Sequence, residues 1–212
     1  MIQHLKAAPM MLFALVLLTG CAKIYTAPQA TSVVRKHKTI AVVPPVVSIA
    51  AQRKVDPQAL RDQEVAESLN FHQEMVSWLL RRRQQNRIAV DIQDANTTLT
   101  LLERAGYDGP RSMTNEEIAE ALGVDGIVSA NFSLTKPMTQ GAAIVTTVLF
   151  GFGSANEVGA MLSLYNADDG GLLWSYNHKL SGGIVSSPSV LVDNLMRNAS
   201  KKMPYTAALQ GR

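Results

Sequence analysis

Residues 114–128 read TNEEIAEALGVDGIV, and this stretch indicates most directly what kind of fold the chain forms. Thr114 followed by Glu117 is a capping-box pattern, in which side chains bind the first free backbone N–H groups of a helix. Apolar residues at helical spacing carry the helix to Gly123, and an apolar strand follows from Val124 to Leu134. A helix that passes directly into a strand predicts a domain in which both kinds of element pack in layers.

The same mixture of elements continues on both sides of this stretch. Apolar and alternating runs predict further strands at 38–43, 87–92, 158–165 and 172–180. Helical spacing and capping residues predict helices over 57–83, from Asp94 to Gly106, and from Ser187-Pro188 onward. A hairpin turn is expected at 167–171 and a loop at 48–57. The predicted fold class is α/β (α+β), a single mixed-sheet domain flanked by helices.

Composition excludes several classes of protein. Of the 212 residues, 47% are hydrophobic and only 17% are charged, which is too apolar for a disordered chain. The formal net charge of +3 is small and aromatic residues make up 6%, so no nucleic-acid partner is expected. The chain is long enough to bury one substantial core.

The N-terminus has the pattern of an export signal for a lipid-anchored protein. Lys6 precedes an apolar run from Met10 to Leu18, which is too short to cross a bilayer as a stable helix. The following Leu18-Thr-Gly-Cys21 resembles the lipobox of bacterial lipoproteins, in which the cysteine thiol is lipidated after the preceding segment is cleaved. Cys21 is the only cysteine, so it has no partner for an internal disulfide.

These signals predict the organisation and location of the chain. Residues 1–20 are expected to be a lipoprotein signal peptide, 21–37 a lipid-anchored flexible tether, and 38–205 the α/β lipoprotein domain. Ala22 follows the cysteine where an aspartate would favour the inner membrane, so the lipid is expected in the outer membrane. The domain is then expected on the periplasmic face.

An uncharged segment at 141–153 interrupts the domain. It is too short to span a membrane as a helix, and glycines flank it on both sides. A buried strand would account for its centre, whereas an exposed apolar patch would mark a contact surface. We expect membrane contact or self-association through Ile144, Val145, Val148, Leu149, Phe150 and Phe152.

The chain has no convincing catalytic, cofactor or metal motif. Ser133 and Lys136 match the Ser-x-x-Lys pattern of penicillin-recognising enzymes, but that chemistry needs a helix and a strand is predicted here. His37, His72 and His178 lack a second ligand at metal-binding spacing and are interpreted as packing or surface residues. The run 81–83, three arginines, is interpreted as surface charge at a helix C-terminus, with binding of anionic lipid or peptidoglycan as the alternative.

Several stretches resemble a group of bacterial outer-membrane lipoproteins. The group shares the fold of CsgG, the TolB amino-terminal domain and LpoB. The stretches are the lipobox at 18–21, the first strand at 38–44, the helix-to-strand passage at 117–128 and the hairpin at 164–174. The resemblance implies an accessory protein that works through contacts and not through catalysis. CsgG-type pores use two membrane-crossing hairpins per chain, whereas this sequence offers one short apolar insertion.

The sequence therefore predicts a membrane-anchored, periplasm-facing lipoprotein that binds an envelope protein or a cell-wall partner without being an enzyme. The sequence leaves open whether the chain forms a homo-oligomer. The alternatives are a secretion-channel subunit of the curli type and, less favoured, an envelope hydrolase.

Overall fold

A computed structural model describes residues 22–50, 56–135, 157–181 and 187–206 of the chain. The predicted Cys21 and the apolar segment 141–153 lie outside the described residues. The strands are β1 (Lys23–Thr26), β2 (Thr39–Val42), β3 (Val46–Ile49), β4 (Asp91–Ile92), β5 (Gly126–Thr135), β6 (Glu157–Asn166) and β7 (Leu172–Ser181). The helices are α1 (Ala30–Val34), α2 (Pro57–Gln84), α3 (Ala95–Arg104), α4 (Asn115–Leu122) and α5 (Pro188–Ala199).

The seven strands form one mixed sheet in the order β1-β7-β6-β5-β2-β4, with β3 also paired to β5. Strands β5, β6, β7 and β1 are antiparallel in succession, whereas β2 and β3 run parallel to β5, and β4 runs parallel to β2. Helices flank this sheet, which confirms the predicted fold class. The strand order itself depends on long-range pairing that the sequence does not reveal.

Helices α2 and α5 cover one face of the sheet. Phe71 of α2 stacks on Phe132 of β5, with ring centroids 4.2 Å apart, and both side chains are buried. The opposite face is covered by α3 and α4, where Leu102, Ile118 and Leu122 pack in a second cluster with Ile127 of β5. Burial of apolar surface on both faces is the main favourable term in the stability of such a fold.

The predicted helix starts are confirmed. Asp94 accepts a hydrogen bond from the backbone N–H of Thr97 at the start of α3. At the start of α4, the Thr114 hydroxyl accepts from the N–H of Glu117, whose carboxylate accepts from the N–H of Thr114. This reciprocal pair is the capping box that the sequence indicates.

Residues 22–37 are not an irregular tether, and this prediction is wrong. Strand β1 pairs antiparallel with β7, and α1 places Ala30 and Val34 in the main core. The sequence shows no periodicity here because both elements are very short, and because β1 is an edge strand whose four side chains are all exposed. Pairing with a distant strand decides the conformation of this segment.

Three further expectations need correction. Residues 46–49 form β3, which overlaps the start of the loop predicted at 48–57, because Pro44 and Pro45 interrupt one strand path and do not end it. The predicted strand 87–92 contains only two paired residues, although its alternating residues Ile88, Val90 and Ile92 are buried. The helical spacing that predicts α2 also predicts an apolar stripe facing the core, but three residues at that spacing are exposed, namely Val65, Leu69 and Leu80.

Candidate functional site

The sheet has two ends, and the segment that contains the predicted membrane residues is attached to one of them. Thr135, Glu157 and Ser181 lie opposite one another where β5 ends, β6 begins and β7 ends. Lys23, which begins β1, pairs with Asn177 in the middle of β7, and because β1 is antiparallel to β7, Lys23 is the residue of β1 that lies nearest the same end. We call this the anchor end.

Two predicted contact elements lie toward the anchor end. Lys23 is the second residue after Cys21, so the predicted lipid is joined to β1 at the end of that strand that is nearest the anchor end. The segment between Thr135 and Glu157 contains all six predicted membrane or self-association residues, and both of its flanks are at the anchor end. The sequence separates these two elements by more than a hundred residues, whereas in the sheet both precede or connect strands on the side of the anchor end.

The opposite end of the sheet, which we call the polar end, is held by a chain of hydrogen bonds. The Tyr205 hydroxyl donates to His37 Nδ1 at 2.7 Å, and His37 Nε2 donates to Asn166 Oδ1 at 3.1 Å. Asn166 Nδ2 then donates to Asp169 Oδ1 at 2.8 Å. These hydrogen bonds join the residues before β2, the β6–β7 turn and the last described residues of the polypeptide.

A second set of bonds at the polar end fastens β2 beside β5. The Asp125 carboxylate accepts hydrogen bonds from the backbone N–H groups of Lys38 and Thr39, at 2.7 and 2.9 Å. Burial by itself would raise the pKa of Asp125, but these two hydrogen bonds keep the pKa below its ordinary value. Burial, reinforced by the negative charge of Asp125, raises the pKa of the Tyr205 phenol, which therefore stays protonated at neutral pH.

The polar end has the chemistry of a structural network. Both ring nitrogens of His37 are occupied by partners within the protein, and the phenol that contacts it is held in its neutral form. Gly126 lies so close that an added Cβ atom would be 2.9 Å from the Tyr205 hydroxyl and 3.0 Å from His37 Nδ1. We therefore interpret this cluster as a fastening between distant parts of the chain.

The other two histidines among the described residues, His72 and His178, lie apart from His37. His72 is buried on α2 and donates from Nε2 to the carbonyl oxygen of Val42 at 2.8 Å. Burial lowers the pKa of His72, and the bond to Val42 offsets only part of this effect. His178 on β7 lies 5.9 Å from the Tyr176 ring, measured between ring centroids. Within the described ranges, no group of three or more His, Cys, Asp or Glu side chains is placed to hold a metal ion.

Ser133 lies in β5, as the sequence predicts, and its side chain is exposed. It is paired in the sheet with Ser48 of β3 and Gly159 of β6. Lys136, the other member of the Ser-x-x-Lys pattern, lies outside the described residues. A serine within a strand lacks the helix start on which acyl enzymes of this pattern depend.

None of the helices in the described part of the chain is long and apolar enough to cross a membrane.

Comparison with models of protein families found no match, and comparison with curated proteins also found none.

Comparison with solved structures found distant similarities. The lipoprotein GNA1162 from Neisseria meningitidis is 15% identical, with a TM-score of 0.44 over 78% of this chain and 96% of that one. The C-terminal domain of LpoB from Salmonella enterica is 10% identical, with a TM-score of 0.36 over 68% of this chain and 83% of that one. The PelC dodecamer from Paraburkholderia phytofirmans is 13% identical, with a TM-score of 0.37 over 89% of this chain and 98% of that one. Similarity at this level assigns neither a family nor a function to the chain.

Proposed function

We propose that the chain is a lipid-anchored accessory protein of the bacterial outer membrane, facing the periplasm, that binds an envelope protein or a cell-wall partner and is not an enzyme. The observation that supports this proposal best is that its two membrane elements lie toward the same end of the sheet. The lipid on Cys21 precedes β1, which begins half-way along β7 and runs away from the anchor end, and the apolar segment 141–153 connects β5 and β6 at the anchor end.

The position of β1 implies a short connection between lipid and fold. Only Ala22 separates Cys21 from Lys23, the first residue of a strand that is hydrogen-bonded to β7. An extended residue spans at most about 3.6 Å, so the sheet begins within a few residues' reach of the lipid. The anchor end is therefore held against the membrane surface, and the polar end points away from it.

This arrangement favours membrane contact as the role of the six apolar residues. Lipid chains on Cys21 already hold the anchor end at the bilayer, with about 0.8 kcal/mol for each buried methylene group. Side chains such as Val148 and Phe150, attached to the same end, then enter the interface without a further loss of translational freedom. Self-association through this segment is the other outcome that the experiment below distinguishes.

Replacing the thiol tests the anchor. We expect Cys21→Ser to abolish labelling of the protein by radioactive palmitate in cells, because the serine hydroxyl does not accept the lipid in its place. Ala22→Ser is the matched control, since it adds the same hydroxyl one residue later and leaves the thiol intact. Equal labelling of Cys21→Ser and the parent protein would contradict the proposal.

Charged substitutions test the apolar segment. We expect the double variant Val148→Asp/Phe150→Asp to lose binding to lipid vesicles in flotation assays while circular dichroism shows an intact fold. The control is Leu80→Asp/Leu172→Asp, because these apolar side chains are 41% and 37% exposed and lie toward the polar end. Loss of oligomers in light scattering, with vesicle binding retained, would assign the segment to self-association. Unchanged behaviour in both assays would contradict both roles.

The non-enzymatic role is tested at the one nucleophile that matches a catalytic pattern. A serine-reactive phosphonate probe is expected to leave the mass of the protein unchanged, because Ser133 lies in a strand without an activating base among its sheet partners. Ser133→Ala serves as the control for labelling at other serines. A gain in mass that disappears in Ser133→Ala would support an envelope hydrolase instead.

A further inference from the structure

A cavity of about 220 Å³ lies between the C-terminal ends of α2 and α5. It is lined by Trp78, Arg82, Arg87, Ile88, Arg197, Ser200, Lys201 and Thr206. Four of these eight side chains are cationic. They come from two helices more than a hundred residues apart and from the residues that follow each helix, so the sequence does not reveal the cluster.

The positive charge in this cavity exceeds what the described residues neutralise. Asp193 is the acidic group beside it, and it accepts hydrogen bonds from Trp78 Nε1 at 3.1 Å and from Arg197. The C-terminus of each helix adds a partial charge of about −0.5. Against four cations, one carboxylate and two helix ends leave an excess of about two positive charges.

Several polar groups in the cavity are available to a ligand. Arg87 is exposed, and its guanidinium has no hydrogen bond or ion pair with any described residue. The Thr206 hydroxyl is buried and has no hydrogen-bond partner among the described residues. By contrast, Arg82 is already oriented, since its guanidinium lies 4.6 Å from the centroid of the Trp78 ring and donates to Gln85 Oε1 at 3.1 Å.

We propose that this cavity is a binding site for a small soluble molecule that carries a phosphate group. Guanidinium groups bind phosphate oxygens in a planar, bidentate manner, and a doubly charged phosphate matches the excess charge better than a single carboxylate does. The cavity is smaller than the 300–1,000 Å³ that is typical for drug-sized ligands, so the ligand is correspondingly small.

The position of the cavity separates soluble phosphates from membrane headgroups. Helix α2 begins near the anchor end, where Glu64 accepts a hydrogen bond from the N–H of Ile49. Arg82 follows Glu64 by eighteen positions along the helix, which corresponds to about 27 Å at 1.5 Å per residue. This exceeds the roughly 8–10 Å over which surface charges act at physiological salt, so the proposed anchoring membrane does not account for these cations. The charge excess itself is independent of the proposed anchor.

Calorimetry on the full lipidated protein in phosphatidylcholine nanodiscs tests the site, with inorganic phosphate and glycerol phosphate as probes. We expect saturable binding of one ligand per chain, weakened at least tenfold in Arg87→Ala/Lys201→Ala. Both side chains are exposed, and Lys201 has only a 3.4 Å contact to Asn198, so the variant is expected to fold. Thr206→Val, which removes the unpartnered hydroxyl, is expected to weaken binding severalfold.

The matched control is Arg81→Ala/Lys202→Ala, which removes two exposed cations that neighbour the cavity in sequence but do not line it. Its affinity is expected to equal that of the parent protein. No saturable binding, or equal loss in both double variants, would overturn the proposal. Flotation with vesicles that contain phosphatidylglycerol tests the other source of phosphate: capture that requires Arg87 and Lys201 would overturn the assignment to a soluble ligand.

Discussion

At the polar end of the sheet, side chains far apart in sequence bind one another. Tyr205, His37 and Asn166 form one chain of hydrogen bonds, and Asp125 binds two backbone N–H groups of the neighbouring strand. At the anchor end, by contrast, Ser48 of β3 and Ser133 of β5 are exposed. The comparison indicates that the polar end contributes to holding the fold together, whereas the anchor end is free to contact other molecules.

A matched pair of glycine substitutions tests this comparison with the largest expected effect. Gly126→Ala at the polar end is expected to lower the free energy of unfolding by about 1–3 kcal/mol, since the new Cβ atom would overlap the Tyr205 hydroxyl. Gly159→Ala toward the anchor end meets only the Ser133 Cβ atom, at 3.7 Å, which is ordinary contact. We expect no loss there, and a gain of up to about 1 kcal/mol because alanine is favoured over glycine within a strand. Urea denaturation measures both, and equal losses would contradict the comparison.

Removal of one buried hydroxyl at the polar end and of one exposed hydroxyl on β1 tests the role of the polar end in stability. Tyr205→Phe deletes the donor to His37 Nδ1 inside a buried contact and is expected to cost about 1–2 kcal/mol of unfolding free energy. Tyr25→Phe removes the same group from a side chain that is 48% exposed on the edge strand β1, so its effect is expected to be close to zero. Thermal unfolding of the two variants gives the answer. A larger loss of unfolding free energy for Tyr25→Phe than for Tyr205→Phe would contradict the stabilising role of the polar end.

The buried His72, on the helix that runs between the two ends, predicts how stability depends on pH. Its folded pKa lies below the ordinary value of 6.5, so the unfolded chain takes up a proton first as the pH falls. This contribution to stability is complete above pH 6.5 and decreases by up to about 1.4 kcal/mol per pH unit below it. Chemical denaturation at pH 7.5, 6.5 and 5.5 measures the change. His72→Gln is expected to flatten it, and a curve of unchanged slope in that variant would assign the effect elsewhere.

The smallest effect is expected for the ion pair between Arg83 and Asp91. The two groups are 2.7 Å apart near the polar end, but their side chains are 39% and 64% exposed. Exposed pairs contribute about 0.2–1 kcal/mol, and salt screens them. We therefore expect Arg83→Ala to lower the melting temperature slightly at low salt and not at all in 1 M sodium chloride. A loss as large as that of Tyr205→Phe would show that charge pairs, too, hold this end together.

Local signals in the sequence predicted most of the elements. The capping box at Thr114, the cap at Asp94 and the turn at 167–171 all lie where the sequence indicates, because each depends on residues within one turn of the chain. Strand β1 and strand β3 were missed. Each has four residues, and β1 has no buried side chain, so neither produces a recognisable pattern.

The groups at the polar end and in the cationic cavity could not be predicted in this way. His37 and Tyr205 are 168 positions apart, and Trp78 and Asp193 are 115 apart. The arginines at 81–83 were interpreted as compensation for a helix end. That interpretation takes no account of Arg197 of α5 and Lys201, which follows α5, although both line the same cavity as Arg82.

By itself, the sequence determined the alternation of helices and strands, the mixed fold class and the expectation of a lipid on Cys21, because each depends on neighbouring residues or on composition. Only the tertiary structure decided that β1 pairs with β7 and begins toward the end of the sheet where segment 141–153 is attached, and that four cations line one cavity. The reason is physical: strand order and helix packing follow from the burial of apolar surface over the whole chain, and no local pattern specifies which distant residues that burial brings together.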